Sequence, residues 1–222
     1  LKYSIYVAVS LDGFIARLDG SLDWLEDSSS DAVGRSSSAD RKREADDEDY
    51  GFGELMGSID TMVMGRATYE FVAGTGEWPY EGKRVVVLST TLGDDDVASH
   101  LAGKVEFLSM EPRELGAKLA AEGAQHVYVD GGVTIQRYLR AKLITGLILT
   151  RVPILLGTGI PLFGELDYDV KLKHRRSMAF ANGFVQSRYT VDQSSYNGAS
   201  GDLPPIALPL IISDSRPVEA WA

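Results

Sequence analysis

The chain contains no cysteine. That excludes disulfides, thiolate metal sites and a cysteine nucleophile together. Histidine is scarce as well. His100, His126 and His174 lie far apart and form no i, i+4 pair, so no metal site is predicted. No apolar run approaches the roughly 20 residues of a membrane span. The segment Lys2–Ser10 alternates polar and apolar residues, which is the pattern of a strand and not of a secretory signal. Basic residues are the minority, 22 Lys and Arg against 32 Asp and Glu, for a net charge of -10. Such a surface opposes the phosphate backbone, which excludes nucleic acid as the expected partner. Neither a G-x-S-x-G elbow nor a Walker loop is present. These absences predict a soluble, cytoplasmic protein with a small-molecule ligand.

What is present is an ordinary globular composition, 44% hydrophobic and 24% charged over 222 residues. A chain of this length can bury most of its apolar surface without staples. Strands are predicted at Tyr3–Val9, Thr61–Met64, Arg84–Leu88, Val105–Leu108, His126–Val129 and Leu147–Val152. Helices are predicted at Tyr50–Ser58, Arg66–Ala73 stopped by Gly74, Pro112–Glu122 and Val133–Lys142. A shaped loop, Ile154–Phe163, follows. Two last strands, near Val170–Met178 and Phe184–Val191, flank an Asn182-Gly183 hairpin turn. The order implies an α/β fold: a mixed, mostly parallel sheet flanked by helices, ending in an antiparallel hairpin.

Two stretches stand apart. Residues 26–49 hold nine acidic and four basic residues, six serines and a single large apolar residue, Val33. They bury too little to offset their ordering entropy, so 27–47 is expected to be an acidic, Ser-rich loop inserted in a domain spanning 1–192. Residues 193–222 hold four of the eight prolines and form an expected tail. Its stretch Ile206–Ile212 is apolar enough to pack on its own domain or on a partner subunit.

The chemistry is expected at two strand–glycine–helix junctions. In the first, Met62-Val63-Met64-Gly65-Arg66-Ala67-Thr68, the glycine allows a close turn and the helix start offers free N–H groups. Arg66 and Thr68 add side-chain donors. In the second, Val129-Asp130-Gly131-Gly132-Val133-Thr134, two glycines let an anion approach the backbone. Two such junctions suit a ligand with separated phosphates, such as a dinucleotide. The usual G-x-G-x-x-G fingerprint is missing.

These junctions, together with Val9-Ser10-Leu11-Asp12-Gly13-Phe14-Ile15-Ala16 and Thr150-Arg151-Val152-Pro153-Ile154-Leu155-Leu156-Gly157, resemble the dihydrofolate reductase superfamily. Within it, the likeness is to the branch that includes the C-terminal reductase domain of riboflavin biosynthesis. It covers about residues 2–191, apart from the acidic insertion. The resemblance implies a dihydrofolate-reductase-like fold with NADPH as hydride donor. It places Arg66, Ser89 and Thr90 at the adenosine 2′-phosphate and Thr68 near the pyrophosphate, beside Gly65. Gly131, Gly132, Val133 and Thr134 would line the pyrophosphate and nicotinamide ribose, with a cis peptide often joining the glycine pair. Ala8, Ile15 and Ala16 would flank the nicotinamide, under a loop formed by Asp12-Gly13. The catalytic acid of dihydrofolate reductases corresponds to Asp49, with Thr150 as its partner; an Asp there is equally a helix cap. The implied function is NADPH-dependent reduction of a pterin, pyrimidine or related heterocycle. The alternatives are the riboflavin-pathway 5-amino-6-(5-phosphoribosylamino)uracil reductase and a non-catalytic NADPH-binding protein. The branch is often dimeric, so a homodimer is expected.

Overall fold

The computed structural model describes residues 1–25 and 49–197. The expected loop at 27–47 and the apolar strap at 206–212 lie outside the described residues. The strands are β1 (Lys2–Ser10), β2 (Phe14–Ala16), β3 (Thr61–Gly65), β4 (Arg84–Leu88) and β5 (Val105–Leu108). After them come β6 (His126–Asp130), β7 (Gly146–Val152), β8 (Ile160–Pro161), β9 (Leu172–Ala179) and β10 (Val185–Val191). The helices are α1 (Phe52–Ser58), α2 (Arg66–Thr75), α3 (Pro112–Ala121), α4 (Gly132–Arg140) and the single turn α5 (Ser194–Asn197).

Eight strands form one sheet in the order β5-β4-β3-β6-β1-β7-β10-β9. All pairings from β5 to β7 are parallel; β10 pairs antiparallel with both β7 and β9. The sheet is therefore mixed and mostly parallel, with helices on both faces and a terminal hairpin, as the pattern implies. Alternation along the strands divides the core. On one face α3 and α4 bury Leu115, Leu119, Ile135, Tyr138 and Leu139 against Tyr3, Ile5, Val63, Val127 and Leu149. On the other, α1 and α2 bury Leu55 and Tyr69 against Met62, Met64, Val85, Val87 and Tyr128. Burial of each such side chain contributes about 1.5–3 kcal/mol.

Three local expectations shift. Helix α2 runs through Gly74 to Thr75 and stops at Gly76, whose φ of 77° supplies the left-handed cap. A glycine inside a helix costs only about 1 kcal/mol, so it weakens the helix without ending it. The loop after β7 contains β8, which pairs with β2 in a separate two-stranded ribbon. The chain also stays packed beyond residue 192. Tyr196 of α5 is buried, and its hydroxyl donates to the Ile144 carbonyl at 2.9 Å.

The hairpin leaves β9 as a sheet edge among the described residues, exposed along nearly its whole length. Lys171, Lys173, His174, Arg175 and Arg176 line it, on a chain whose balance is acidic.

Candidate active site

The strand order reverses between β3 and β6, which is where open α/β sheets bind ligands at the carboxyl ends of their strands. Both glycine junctions end there, because Met64 of β3 lies in register with Asp130 of β6. They touch each other. A methyl group placed on Gly65 would lie 2.8 Å from Thr134 Oγ1, and one on Gly131 would lie 2.6 Å from Thr68 Oγ1. Gly131 also has φ 88°, a conformation that side chains resist. A methyl on Gly132 would meet Ile15 Cδ1 at 2.8 Å, so the β2–β8 ribbon closes against the second junction. The structure thus gathers Ile15, Gly65, Thr68, Gly131, Gly132 and Thr134 into one cradle, with the starts of α2 and α4 side by side. Val133 points out at 67% exposure, and Thr134 is buried. The bond joining Gly131 to Gly132 is trans, contrary to the cis form that the resemblance suggested.

Beside the cradle lies a cleft of about 370 Å³, lined by Arg66, Ser89, Thr90, Thr91, Ser109 and Arg137 among others. Arg66 Nε donates to Glu70 at 2.7 Å and Nη1 to Thr91 Oγ1 at 3.0 Å. Thr91, next to the expected Ser89 and Thr90, is therefore the hydroxyl that Arg66 touches. Ser89 Oγ accepts from the amides of Thr91 and Leu92 and shapes the loop.

The third part of the site crosses β1, β7 and β10. Ala8 pairs in register with Thr150, and Gln186 with the same threonine from the other side. Gln186 is buried, and its Nε2 donates to Thr150 Oγ1 at 3.1 Å and to the Tyr50 carbonyl at 2.8 Å. Gln186 and Tyr50 thus stand between Thr150 and Asp49. Asp49 behaves as a cap: Oδ1 accepts from the Gly51 amide at 2.7 Å and Oδ2 from the Gly53 amide at 2.9 Å. Those two amides hold its carboxyl below the ordinary aspartate range. The Tyr6 hydroxyl donates to the Tyr50 carbonyl at 3.3 Å. Burial, and then the charge of Asp49, push that phenol up to about 12.

One further acid belongs to the site. Asp130 ends β6 immediately before the glycine pair, and its Oδ1 accepts from the Gly131 amide at 2.7 Å. Burial raises its carboxyl above the ordinary value against the opposing pull of that amide. The signal in the sequence was a carboxylate at the end of an apolar strand, directly ahead of two glycines. No group of three or more acidic or histidine side chains able to hold a metal ion occurs among the described residues. No helix among them is long and apolar enough to cross a membrane.

This geometry can be set beside known proteins. Residues 3–186 match the model of the RibD C-terminal domain. The chain belongs to the RibD C-terminal domain family. The uncharacterized protein YwjB of Bacillus subtilis (strain 168) is 32% identical over 190 residues, covering 85% of this chain and 97% of YwjB. The solved structure of a Shewanella sp. PV-4 protein assigned to riboflavin biosynthesis superposes with a TM-score of 0.72 at 35% identity, covering 86% of this chain and 99% of that one. Dihydrofolate reductase from Enterococcus faecalis, solved with NADP(H) and RAB-propyl, shares the fold. Its TM-score is 0.55 at 18% identity, covering 86% of this chain and 96% of that one. This RibD C-terminal domain is dihydrofolate-reductase-like in architecture.

Proposed function

We propose that the chain is an NADPH-dependent reductase of a flat nitrogen heterocycle, a pterin or a pyrimidine. The observation that carries this reading is the cradle. Three glycines stand where any Cβ would strike Thr134, Thr68 or Ile15, and two helices start beside them. That arrangement fits a diphosphate held by backbone amides. The residues present therefore fit a dinucleotide. Gly65, Thr68, Gly131, Gly132, Val133 and Thr134 would hold its diphosphate and ribose. Arg66, with Ser89, Thr90 and Thr91, would take the adenosine 2′-phosphate by exchanging its contact with Glu70 for a charge-assisted one. When bound, NADPH supplies the hydride.

The chain's own contribution is orientation, dryness and a proton. Ala8, Ile15 and Ala16 offer small apolar surfaces that exclude water from a flat ring. Thr150, oriented by Gln186, presents its hydroxyl toward the edge of a heterocycle. Asp130, whose carboxyl desolvation raises, is the proposed proton donor, through its oxygen not bonded to Gly131. Asp49 remains a proposed negative charge at the rim, anchored by its cap to α1.

A second reading is 5-amino-6-(5-phosphoribosylamino)uracil reductase, favoured by the family match. The substrate side, however, carries few basic groups for a phosphate: Arg188 is engaged in a fork on Glu54 at 2.9 and 2.7 Å. A third, a non-catalytic NADPH-binding protein, keeps the cradle and lacks turnover. Titration with NADPH and NADH tests the cofactor. Loss of NADPH absorbance with a panel of dihydropterins and aminopyrimidines, with and without ribose phosphate, separates the three readings. No binding of either nucleotide would defeat all of them.

A further inference from the structure

The turn between β1 and β2 is fastened to the loop between β7 and β8 by one side chain, with a backbone bond on either side of it. Asp12 Oδ1 accepts from Ser10 Oγ at 2.6 Å and from the Leu156 amide at 3.2 Å. Its Oδ2 accepts from the Gly157 amide at 2.7 Å. Ser10 is buried, and its own oxygen accepts from the Phe14 amide at 2.9 Å, so the turn is braced from inside. Backbone bonds from Leu11 to the Ile154 carbonyl and from Leu162 to the Gly13 carbonyl flank the buckle. Among the described residues, no other side chain bonds this turn to that loop.

The consequence reaches the cradle through packing. Strand β2 pairs with β8, Phe14 opposite Pro161 and Ala16 opposite Ile160. Gly159 lies under β2 so closely that a methyl there would be 2.5 Å from the Ala16 carbonyl oxygen. The ribbon in turn rests on Gly132, with Ile15 Cδ1, the Pro161 carbonyl and Ile160 Cγ2 nearest to it. Gln136 Nε2 of α4 holds the same Pro161 carbonyl at 3.0 Å. The wall that faces the second glycine junction therefore has its position set by loops that join at Asp12.

We propose that Asp12 is a positioning residue for the nicotinamide half of the cofactor: its carboxylate buckles the two loops so that Ile15 and Ala16 are held against Gly132 before the ligand arrives. The inference rests on the nicotinamide reading above. A carboxylate suits the task because three donors converge on two oxygens. An amide offers one acceptor oxygen and turns an NH₂ toward a donor, so even the isosteric change breaks the buckle. Both Asp12 oxygens are occupied, which leaves it no role as a proton donor. Pre-positioning a wall lowers the ordering cost of binding the part of a ligand that lies against it, and only that part.

That selectivity is testable with the full chain. Calorimetric titrations with NADPH and with 2′,5′-ADP, which lacks the nicotinamide, are made on the wild type, Asp12→Asn and Asp12→Ala. Hydrogen exchange at the Leu156 and Gly157 amides is followed without ligand. Loss of charge-assisted bonds predicts a roughly tenfold to hundredfold weaker NADPH affinity. Affinity for 2′,5′-ADP should stay within about twofold, and the two amides should exchange faster in both variants. Parallel weakening of both nucleotides would make Asp12 a general stability element and overturn the proposal. So would unchanged NADPH affinity alongside fast exchange. If the wild type protects those amides yet binds neither nucleotide, the cofactor reading itself falls and this inference with it. If it binds both and the variants bind both equally well, the cofactor reading stands and only the positioning role is lost.

Discussion

The two halves of the site are built from different materials. The cradle at the ends of β3 and β6 consists of backbone, glycine and two threonines, brought together because adjacent parallel strands end in register. The rim across β1, β7 and β10 consists of side chains reaching far along the sequence, such as Gln186 to Thr150 and Tyr6 to Tyr50. The cradle has almost nothing to rearrange and little to substitute. The rim is a hydrogen-bond network whose members can be exchanged while the strands stay where they are. A fold that keeps the first and varies the second can hold one cofactor and change its substrate.

The largest effect should come from breaking the cradle. Gly132→Val places a side chain on Ile15 and in the path of the diphosphate, and is expected to abolish NADPH binding detectable by fluorescence. Ile15 ends in a flexible methyl, so the variant should still unfold cooperatively; wild-type affinity would reduce the junction to a turn. Next is Asp130→Asn, expected to lower turnover by about a hundredfold or more if this group delivers the proton.

The same substitution has a signature in stability. Burial raises the Asp130 carboxyl in the folded chain, so the folded state keeps its proton at pH values where the unfolded chain has lost it. Stability is then fully present below the ordinary aspartate value of about 4 and declines as pH rises through the raised one. Asp130→Asn should flatten that decline and leave the protein more stable at neutral pH, measured as melting temperature against pH. A protein both more stable and less active would mark Asp130 as a site where function is kept at the expense of stability.

A smaller effect is expected at the cradle's neighbour. Arg66→Ala should reduce the preference for NADPH over NADH by roughly tenfold to a hundredfold while sparing NADH, read as a ratio of dissociation constants. An unchanged ratio would move the 2′-phosphate contact to Arg137 or away from this cleft. Smallest is the rim. Gln186→Leu removes the amide that donates to both the Tyr50 carbonyl and the Thr150 hydroxyl, and should cost about 1–3 kcal/mol in chemical denaturation, with NADPH affinity intact. If NADPH affinity falls as well, the two halves of the site are coupled and the contrast between them fails.

Legibility in the sequence follows the same division. The strands, helices and both junctions can be read because their signals are local: β-branched runs such as Val85-Val86-Val87, a proline opening α3, glycines at strand ends. Their meeting as one cradle is legible only through the resemblance, since register between β3 and β6 is a long-range property. Of the rim, Ala8, Asp49 and Thr150 are reached through the resemblance, and the residues that connect them are invisible beforehand. Gln186 and Arg188 read as ordinary polar positions of a strand, and only the pairing of β10 with β7 turns the glutamine onto Thr150. Asp49 shows the converse. Its position in the chain suggests chemistry, while two amides nearby engage both its oxygens as a cap. Asp130 stands inside the junction motif, but the rise of its carboxyl comes from desolvation, which spacing along the chain does not encode.

The charged edge strand β9 bears on how the molecules meet one another. A strand with one free side is a template for sheet growth, and proteins blunt such edges with lysine and arginine. On β9 the blunting is electrostatic: a second copy approaching edge to edge would bring basic side chains against basic ones across a strand spacing of about 5 Å. Repulsion of that kind is screened as ionic strength rises, with the Debye length shrinking from about 10 Å at 0.1 M to about 3 Å at 1 M. Among the described residues, the barrier against pairing of two copies through β9 is therefore set by the solvent as much as by the chain, and concentrated salt lowers it.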